Sequence, residues 1–266
     1  MTSINYRYSV RGKWAETSNE TPAAIGAAFL KTLDALSGVD PLFAGWQVFR
    51  NLQIAEDGQP RQVPLDAARK RIAQIVESGV ARDDYDEREP IYGYSAVATA
   101  GVRGPRYVTL SVHTTLNPDV GLKFGEHNIA SDLSIVTYPL FKAALLAISA
   151  AGSVQWSYAQ ASRNDVVKVP MDLAPGVPAF RIDTAAQVPL DPTFPDSIFH
   201  VPWIVYLSAD RAAGLTLARE VLTEHVPDGG LLMSAATERL DPMNLEHVRR
   251  ARILAEALIA CTGVTS

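Results

Sequence analysis

Apolar residues recur along this chain with two different periods, which predicts a mixture of strands and helices. Between residues 6 and 15 they alternate with polar residues, the period of a strand. Between 22 and 37, between 138 and 151 and between 244 and 260 they recur at the spacing of a helix with one buried side. The expected fold class is therefore α+β, with an antiparallel or mixed sheet packed against these helices.

The predicted helices carry end signals in the sequence. Thr21 can cap the first helix and Gly38 can end it. Thr137 and Gly152 enclose the second helix in the same way, and Asn244 can cap the third. These signals fix the helix boundaries more closely than periodicity alone.

Other segments have the composition of strands, loops or a further helix. The runs 92–101 and 107–114 are joined by Arg-Gly-Pro-Arg, which predicts a β-hairpin. The polar segment 55–64 is expected to be a loop that leads into a helix over 65–77. The Gly-, Asn- and Asp-rich stretch after the hairpin is expected to be a loop as well. The proline-rich segment 170–202 is expected to wrap the surface.

The C-terminal segment 202–260 is predicted to form one unit of strand, turn, strand and closing helix. Trp203–Leu207 is an unbroken run of aromatic, β-branched and aliphatic residues, typical of a strand that is covered on both faces. The Asp228-Gly229-Gly230 sequence favours a turn that starts a second short strand at Leu231.

The length of 266 residues suits one domain over 1–266 or two fused subdomains. Phe29-Leu30-Lys31 precedes a tryptophan strand at Trp46, and Leu140-Phe141-Lys142 precedes another at Trp156. This order predicts an internal duplication of two related α/β halves, about 1–90 and 91–170; chance similarity between two amphipathic helices is the alternative.

Composition narrows the class of protein. The chain has 47% hydrophobic and 20% charged residues, as globular proteins do, and its net charge of -5 argues against direct binding of nucleic acid. No signal-peptide core and no run of about 18 apolar residues occurs, so a cytoplasmic location without membrane contact is expected. The single cysteine, Cys261, allows no internal disulfide.

Residues with catalytic or metal-binding chemistry are scattered. Glu126-His127 is the best acid/base candidate, but no nucleophile stands beside it in sequence. The nucleophile elbow, the phosphate loop and the dinucleotide fingerprint are absent from the sequence. The expectation is a non-enzymatic protein with no cofactor and no metal. The five histidines stand in five separate segments: His113, His127, His200, His225 and His247.

Four segments resemble the immunity protein 52 family of bacterial toxin-immunity systems. They are Phe43–Trp46, Trp203–Leu207, Pro227–Leu232 and the helical Arg249–Arg252. The resemblance extends over nearly the whole chain and is looser between 121 and 202. It implies an immunity protein that binds and neutralises a cognate toxin, typically a nuclease of restriction-endonuclease-like fold delivered by type VI secretion. The family has no catalytic residues to transfer.

Two other classes of function remain open at this point. An adaptor or accessory protein for toxin loading would bind the toxin without suppressing its activity. An enzyme with an unfamiliar site would show a deep pocket that brings together polar side chains distant in sequence.

The most charged stretch of the chain is the candidate toxin-binding surface. A nuclease presents lysines and arginines to the phosphate backbone, and clustered carboxylates can occupy that basic surface. Tyr85 in the middle of the stretch would serve as an aromatic anchor, while a solvated loop of no consequence is the alternative. The predicted contact residues are Asp83, Asp84, Tyr85, Asp86, Glu87 and Glu89.

Overall fold

The structure is a computed structural model, and its elements are numbered in chain order. The described residues are 6–14, 21–50, 62–79, 93–114, 119–126, 131–152, 154–163, 172–174, 177–178, 200–213, 215, 220–241 and 244–262. Within them the helices are α1 Pro22–Ser37, α2 Leu65–Arg69, α3 Ile72–Ser78, α4 Tyr138–Gly152, α5 Ala209–Ala212 and α6 Leu245–Thr262. The first six strands are β1 Tyr6–Trp14, β2 Gln47–Phe49, β3 Gln62–Pro64, β4 Ser95–Ala100, β5 Val108–His113 and β6 Asp119–Phe124. The remaining strands are β7 Val154–Arg163, β8 Asp172–Ala174, β9 Val177–Pro178, β10 His200–Leu207, β11 Leu222–His225 and β12 Leu231–Ser234.

Ten of the strands form one sheet in the order β11-β12-β10-β7-β1-β6-β5-β4-β2-β3. Every neighbouring pair in it is antiparallel. The predicted α+β class is confirmed, with an antiparallel rather than a mixed sheet. β8 and β9 pair only with each other.

One face of the sheet is apolar across β5, β6, β1, β7 and β10, and α4 packs on it. A row of directly opposed residues crosses it through Leu110, Leu122, Val10, Ala159 and Ile204, all fully buried. α4 contacts β1, β7 and β10. Because opposed residues in antiparallel strands share a face, this row forms the floor of the main core.

An aromatic cluster ties α4 to the sheet. The Phe141 ring on α4 lies 5.2 Å from Trp203 on β10 and 4.5 Å from Phe124 on β6, measured between ring centroids. Tyr8 on β1 meets Trp203 edge to face at 6.2 Å. Trp203 also donates from Nε1 to the Ala236 carbonyl at 3.0 Å. The cluster therefore joins three strands that are distant in sequence.

The opposite face is covered at the β10–β12 end. Val205, Leu207 and Met233 point away from the α4 side and are fully buried. α6 contacts β10 and β12 and buries Val248 and Leu254, which places it over these side chains. Trp203–Leu207 is thus an interior strand that is covered on both faces, as its apolar run predicts.

The capping residues predicted for the first and the last long helix are confirmed. The Thr21 side chain accepts the Ala24 N–H at 3.2 Å, and Gly38 follows α1 as its C-cap. Asn244 Oδ1 accepts the Glu246 N–H at 3.0 Å at the start of α6. The hairpin of β4 and β5 and the short strand β12 are also where the sequence predicts them. The internal duplication stays a prediction.

Three local predictions are wrong. The helix expected over 65–77 is broken at Lys70 and Arg71, because α2 lies beside β2 and β3 whereas α3 packs on α1 at Gly26. Residues 62–64, placed in a loop, form edge strand β3 against β2. Residues 119–124, also placed in a loop, form β6, in which Val120, Leu122 and Phe124 are buried in alternation.

Candidate binding surface

One face of the sheet is polar over several neighbouring strands, and we call it the polar face. Arg7, Ser9, Arg11 and Lys13 of β1 alternate with apolar residues, so they lie on the face opposite α4. The antiparallel register adds the residues opposed to them on the adjoining strands. These are Tyr158 and Gln160 of β7, Asp119 and Lys123 of β6, and Thr109, Ser111 and His113 of β5.

Solvent reaches the polar face, in contrast to the opposite side of the same strands. In β5 buried and half-buried residues alternate strictly, with Thr109 and Ser111 half-buried and Leu110 fully buried. In β6 the Lys123 side chain is exposed, whereas Leu122 beside it is fully buried. The polar face is therefore accessible at β5 and β6, whereas Ser9 of β1 and Tyr158 and Gln160 of β7 are buried.

Positive charge predominates on the polar face. Among the described residues it brings together the cationic side chains of Arg7, Arg11, Lys13 and Lys123 and the carboxylate of Asp119. Desolvation lowers the pKa of the Lys123 ammonium, and the nearby charge of Arg11 lowers it further. Neighbouring cations repel one another and thereby lower one another's pKa, and an anionic group beside them offsets this repulsion. The polar face therefore favours a negatively charged partner.

Asp119 is the carboxylate on the polar face, and it lies between a histidine and a lysine. It stands directly opposite His113 on β5 and Lys13 on β1. Partial burial raises the pKa of its carboxyl group, and the charges of His113 and Arg11 counteract that rise. The residue acts as an internal counterion for the surrounding cations.

The polar face ends where two stacked rings begin. Trp156 and Tyr158 of β7 are buried and stack with centroids 5.7 Å apart. Burial raises the pKa of the Tyr158 hydroxyl. Two residues beyond Tyr158 on β7, Gln160 lies opposite Ser9 of β1, and its Nε2 donates to Ser9 Oγ at 3.2 Å. Beyond β7 this side of the sheet becomes apolar and passes under α6.

The predicted toxin-binding residues Asp83, Asp84, Tyr85, Asp86, Glu87 and Glu89 lie outside the described residues, so their role stays a prediction. The sequence did not identify the polar face, because its members come from strands up to 150 residues apart. Only the alternation within β1 signals it.

The histidines do not converge among the described side chains. His113 lies on the polar face, and His225 is exposed on β11. His247 is buried: its Nδ1 accepts the Asp241 N–H at 3.1 Å, and its Nε2 lies 2.9 Å from Glu238 Oε1. Both ring nitrogens are thus engaged, which gives His247 a structural role in holding the loop after β12 to α6. His127 and the His200 side chain lie outside what is described.

The described residues contain neither a metal site nor a membrane-spanning helix. Those residues contain no group of three or more His, Cys, Asp or Glu side chains placed to hold a metal ion. In the same part of the chain no helix has the length and apolar character that crossing a membrane requires.

By its fold and surface the chain is an α+β protein whose main, ten-stranded sheet has one helix-covered face and one partly charged face. No family model matches it, and no curated protein matches it. Among solved structures it is similar to the Pseudomonas aeruginosa T6SS protein PA0821, with 14% identity over 96% of this chain and 72% of that one, at a TM-score of 0.47. At that identity and TM-score the similarity assigns no role to this chain.

Proposed function

We propose that this chain is an immunity protein that binds a cognate secreted toxin and neutralises it stoichiometrically. The resemblance of its tryptophan strands and C-terminal segments to the immunity protein 52 family supports this class. The toxin of that class is typically a nuclease with a restriction-endonuclease-like fold.

The observation that supports a binding role is the polar face. Its charged and hydrogen-bonding side chains are spread over four adjoining strands of the sheet, β7, β1, β6 and β5, rather than gathered in one cleft. A broad surface of this kind suits another protein better than a small molecule, which needs a concave, mostly apolar site. The segments that carry the family resemblance do not form this surface, since Trp46 and Trp203 are buried.

Co-expression tests the function directly. The toxin encoded beside the gene for this chain should kill cells when expressed alone and spare them when the chain is present. With purified proteins, residual toxin activity should reach zero at one molar equivalent of the chain. An adaptor would bind the toxin and leave its activity intact, and that result would contradict the proposal.

The acidic segment provides a second test of how the toxin is held. Neutralising Asp83, Asp84, Asp86 and Glu87 together should slow association with the toxin, mostly below 0.1 M salt, where the Debye length exceeds about 10 Å. Unchanged association at low salt would place the contact elsewhere.

A further inference from the structure

A small apolar and arginine-rich patch lies on the loops at one end of the sheet. Val102, in the turn between β4 and β5, is 86% exposed and is the most exposed large hydrophobic residue among those described. Leu133, in the loop before α4, is 47% exposed. Arg103, Arg106 and Arg239 are exposed beside them. We call these five residues the arginine-valine patch.

Hydrogen bonds hold the loops of the patch together. The Asp132 N–H donates to the Pro105 carbonyl at 2.9 Å, and the Glu126 N–H donates to the Gly104 carbonyl at 3.0 Å. Arg239 Nη1 donates to the Leu133 carbonyl at 3.4 Å. Three chain segments are thus fixed to one another, so the exposed Val102 stands on a braced turn rather than on a loose loop tip.

Two arginines of the patch, Arg103 and Arg106, are more exposed to solvent than the carboxylates that they pair with. Arg103 Nη1 lies 3.7 Å from Glu126 Oε1, and the two side chains are 66% and 29% exposed. Arg106 Nε lies 3.7 Å from Asp132 Oδ2, and these side chains are 63% and 29% exposed, respectively. Since the carboxylates are the less exposed members of both pairs, the surface presented to a partner is positive.

The patch adjoins the polar face. Arg7 of that face donates from Nη2 to the Glu126 carbonyl at 3.3 Å. Positive charge therefore continues from the sheet onto the loops, although the chain as a whole has a net charge of -5. Arginine is enriched at protein interfaces, and the exposed apolar side chains of the patch offer a partner area to bury.

We propose that the arginine-valine patch binds an acidic surface on the toxin, with Val102 packed at the centre of the contact. This rests on the proposed function. A protein surface fits better than nucleic acid, because Val102 and Leu133 offer the partner apolar contact that a phosphate backbone does not use.

The experiment measures binding of the full chain to the immobilised toxin encoded by the adjacent gene. The patch variants are Val102→Asp, the milder Val102→Ala and the double variant Arg103→Glu with Arg106→Glu. The matched controls are Leu245→Asp, which replaces a 50% exposed leucine at the start of α6, and Arg252→Glu, which replaces an exposed arginine on α6. Tm is measured for each protein, and a 20-base-pair DNA duplex serves as a second immobilised ligand.

Val102→Asp and the double arginine variant should each weaken toxin binding by about tenfold or more, while both controls stay within about twofold of the parent. The double variant should also associate more slowly at low salt. Equal affinities for patch and control variants would overturn the patch while leaving the proposed function intact. Loss of DNA binding with unchanged toxin binding would overturn it in favour of nucleic acid. A parent chain that does not bind the toxin would overturn the proposed function as well.

Discussion

The face of the sheet that looks away from α4 is built in two different ways. At β10 and β12 its side chains, such as Val205 and Met233, are fully buried beneath α6. At β5 and β6 its side chains are polar, and Lys123 is exposed. A strand that is covered on both faces therefore has an unbroken apolar run, whereas in a strand with one solvent-exposed face apolar and polar residues alternate.

A matched pair of substitutions gives the largest expected contrast. Val205→Asp places a carboxylate under α6 without a partner and should lower the free energy of unfolding by more than about 4 kcal/mol. Thr109→Asp places the same group opposite Lys123 and should change it by less than about 1 kcal/mol. Urea denaturation of both variants measures this. Equal destabilisation would mean that the two halves are covered alike.

The aromatic cluster beneath α4 gives the next largest effect. Trp203→Ala should lower the free energy of unfolding by about 3 to 5 kcal/mol, because it empties a fully buried site against Phe141 and Tyr8. Trp203→Phe retains one ring, loses part of the indole together with the hydrogen bond to the Ala236 carbonyl, and should cost less than Trp203→Ala. Thermal unfolding of both proteins provides the measurement, and an unchanged Tm for Trp203→Ala would contradict the packing described.

The third prediction concerns the effect of Asp119 on the pH dependence of the free energy of unfolding. Its pKa is raised by burial, so the folded state holds the proton more tightly than the unfolded state, and its contribution to stability falls as pH rises from about 4 through the folded pKa. Asp119→Asn should therefore gain stability relative to the parent at pH 7 and none at pH 3.

Asp132 is the control for this prediction. Hydrogen bonding from the Ser134 N–H lowers the pKa of its carboxyl group, so its contribution is present at neutral pH and is lost as pH falls through the folded pKa. Asp132→Asn should lose stability at pH 7, opposite in sign to Asp119→Asn. Denaturation curves at the two pH values compare them, and the same sign for both variants would refute the assignment.

The smallest expected effect concerns α6, the helix that covers the apolar half. The side chains of Arg249 and Arg250 donate to Glu246 near the start of this helix and lower its pKa to about 2. Because the group is exposed, Glu246→Gln should lower Tm only slightly at neutral pH. The difference should disappear in 1 M salt and as pH falls from about 4.5 to about 2. A difference that persists in 1 M salt would show that Glu246 acts by more than charge.

Elements that are set by local sequence could be predicted. α1 and α6 follow from an apolar stripe with a capping residue at the N-terminus, and the hairpin of β4 and β5 follows from alternation around a turn. Strand β6 was missed because the Gly, Asn and Asp residues in and around it have the composition of a loop, although Val120, Leu122 and Phe124 alternate. The break at Lys70 was missed because it depends on packing against α1 and the sheet, which local propensity does not record.

The candidate surface could not be predicted, because it depends on strand register. Arg11 acquires its neighbours Gly121 and Tyr158 only when β1 pairs with both β6 and β7. The arginine-valine patch likewise joins residues from three loops. Pairing across such distances is a tertiary outcome that periodicity within one strand does not encode.

The order of the sheet also bears on how the chain behaves at high concentration. Its outermost strands are β3, with three residues that end at Pro64, and β11, with four exposed residues that include Glu224. Unpaired strand edges recruit strands from other molecules, whereas short edges with proline or charge resist such recruitment. Among the described strands, both edges of this wide sheet therefore act against fibre growth at high protein concentration.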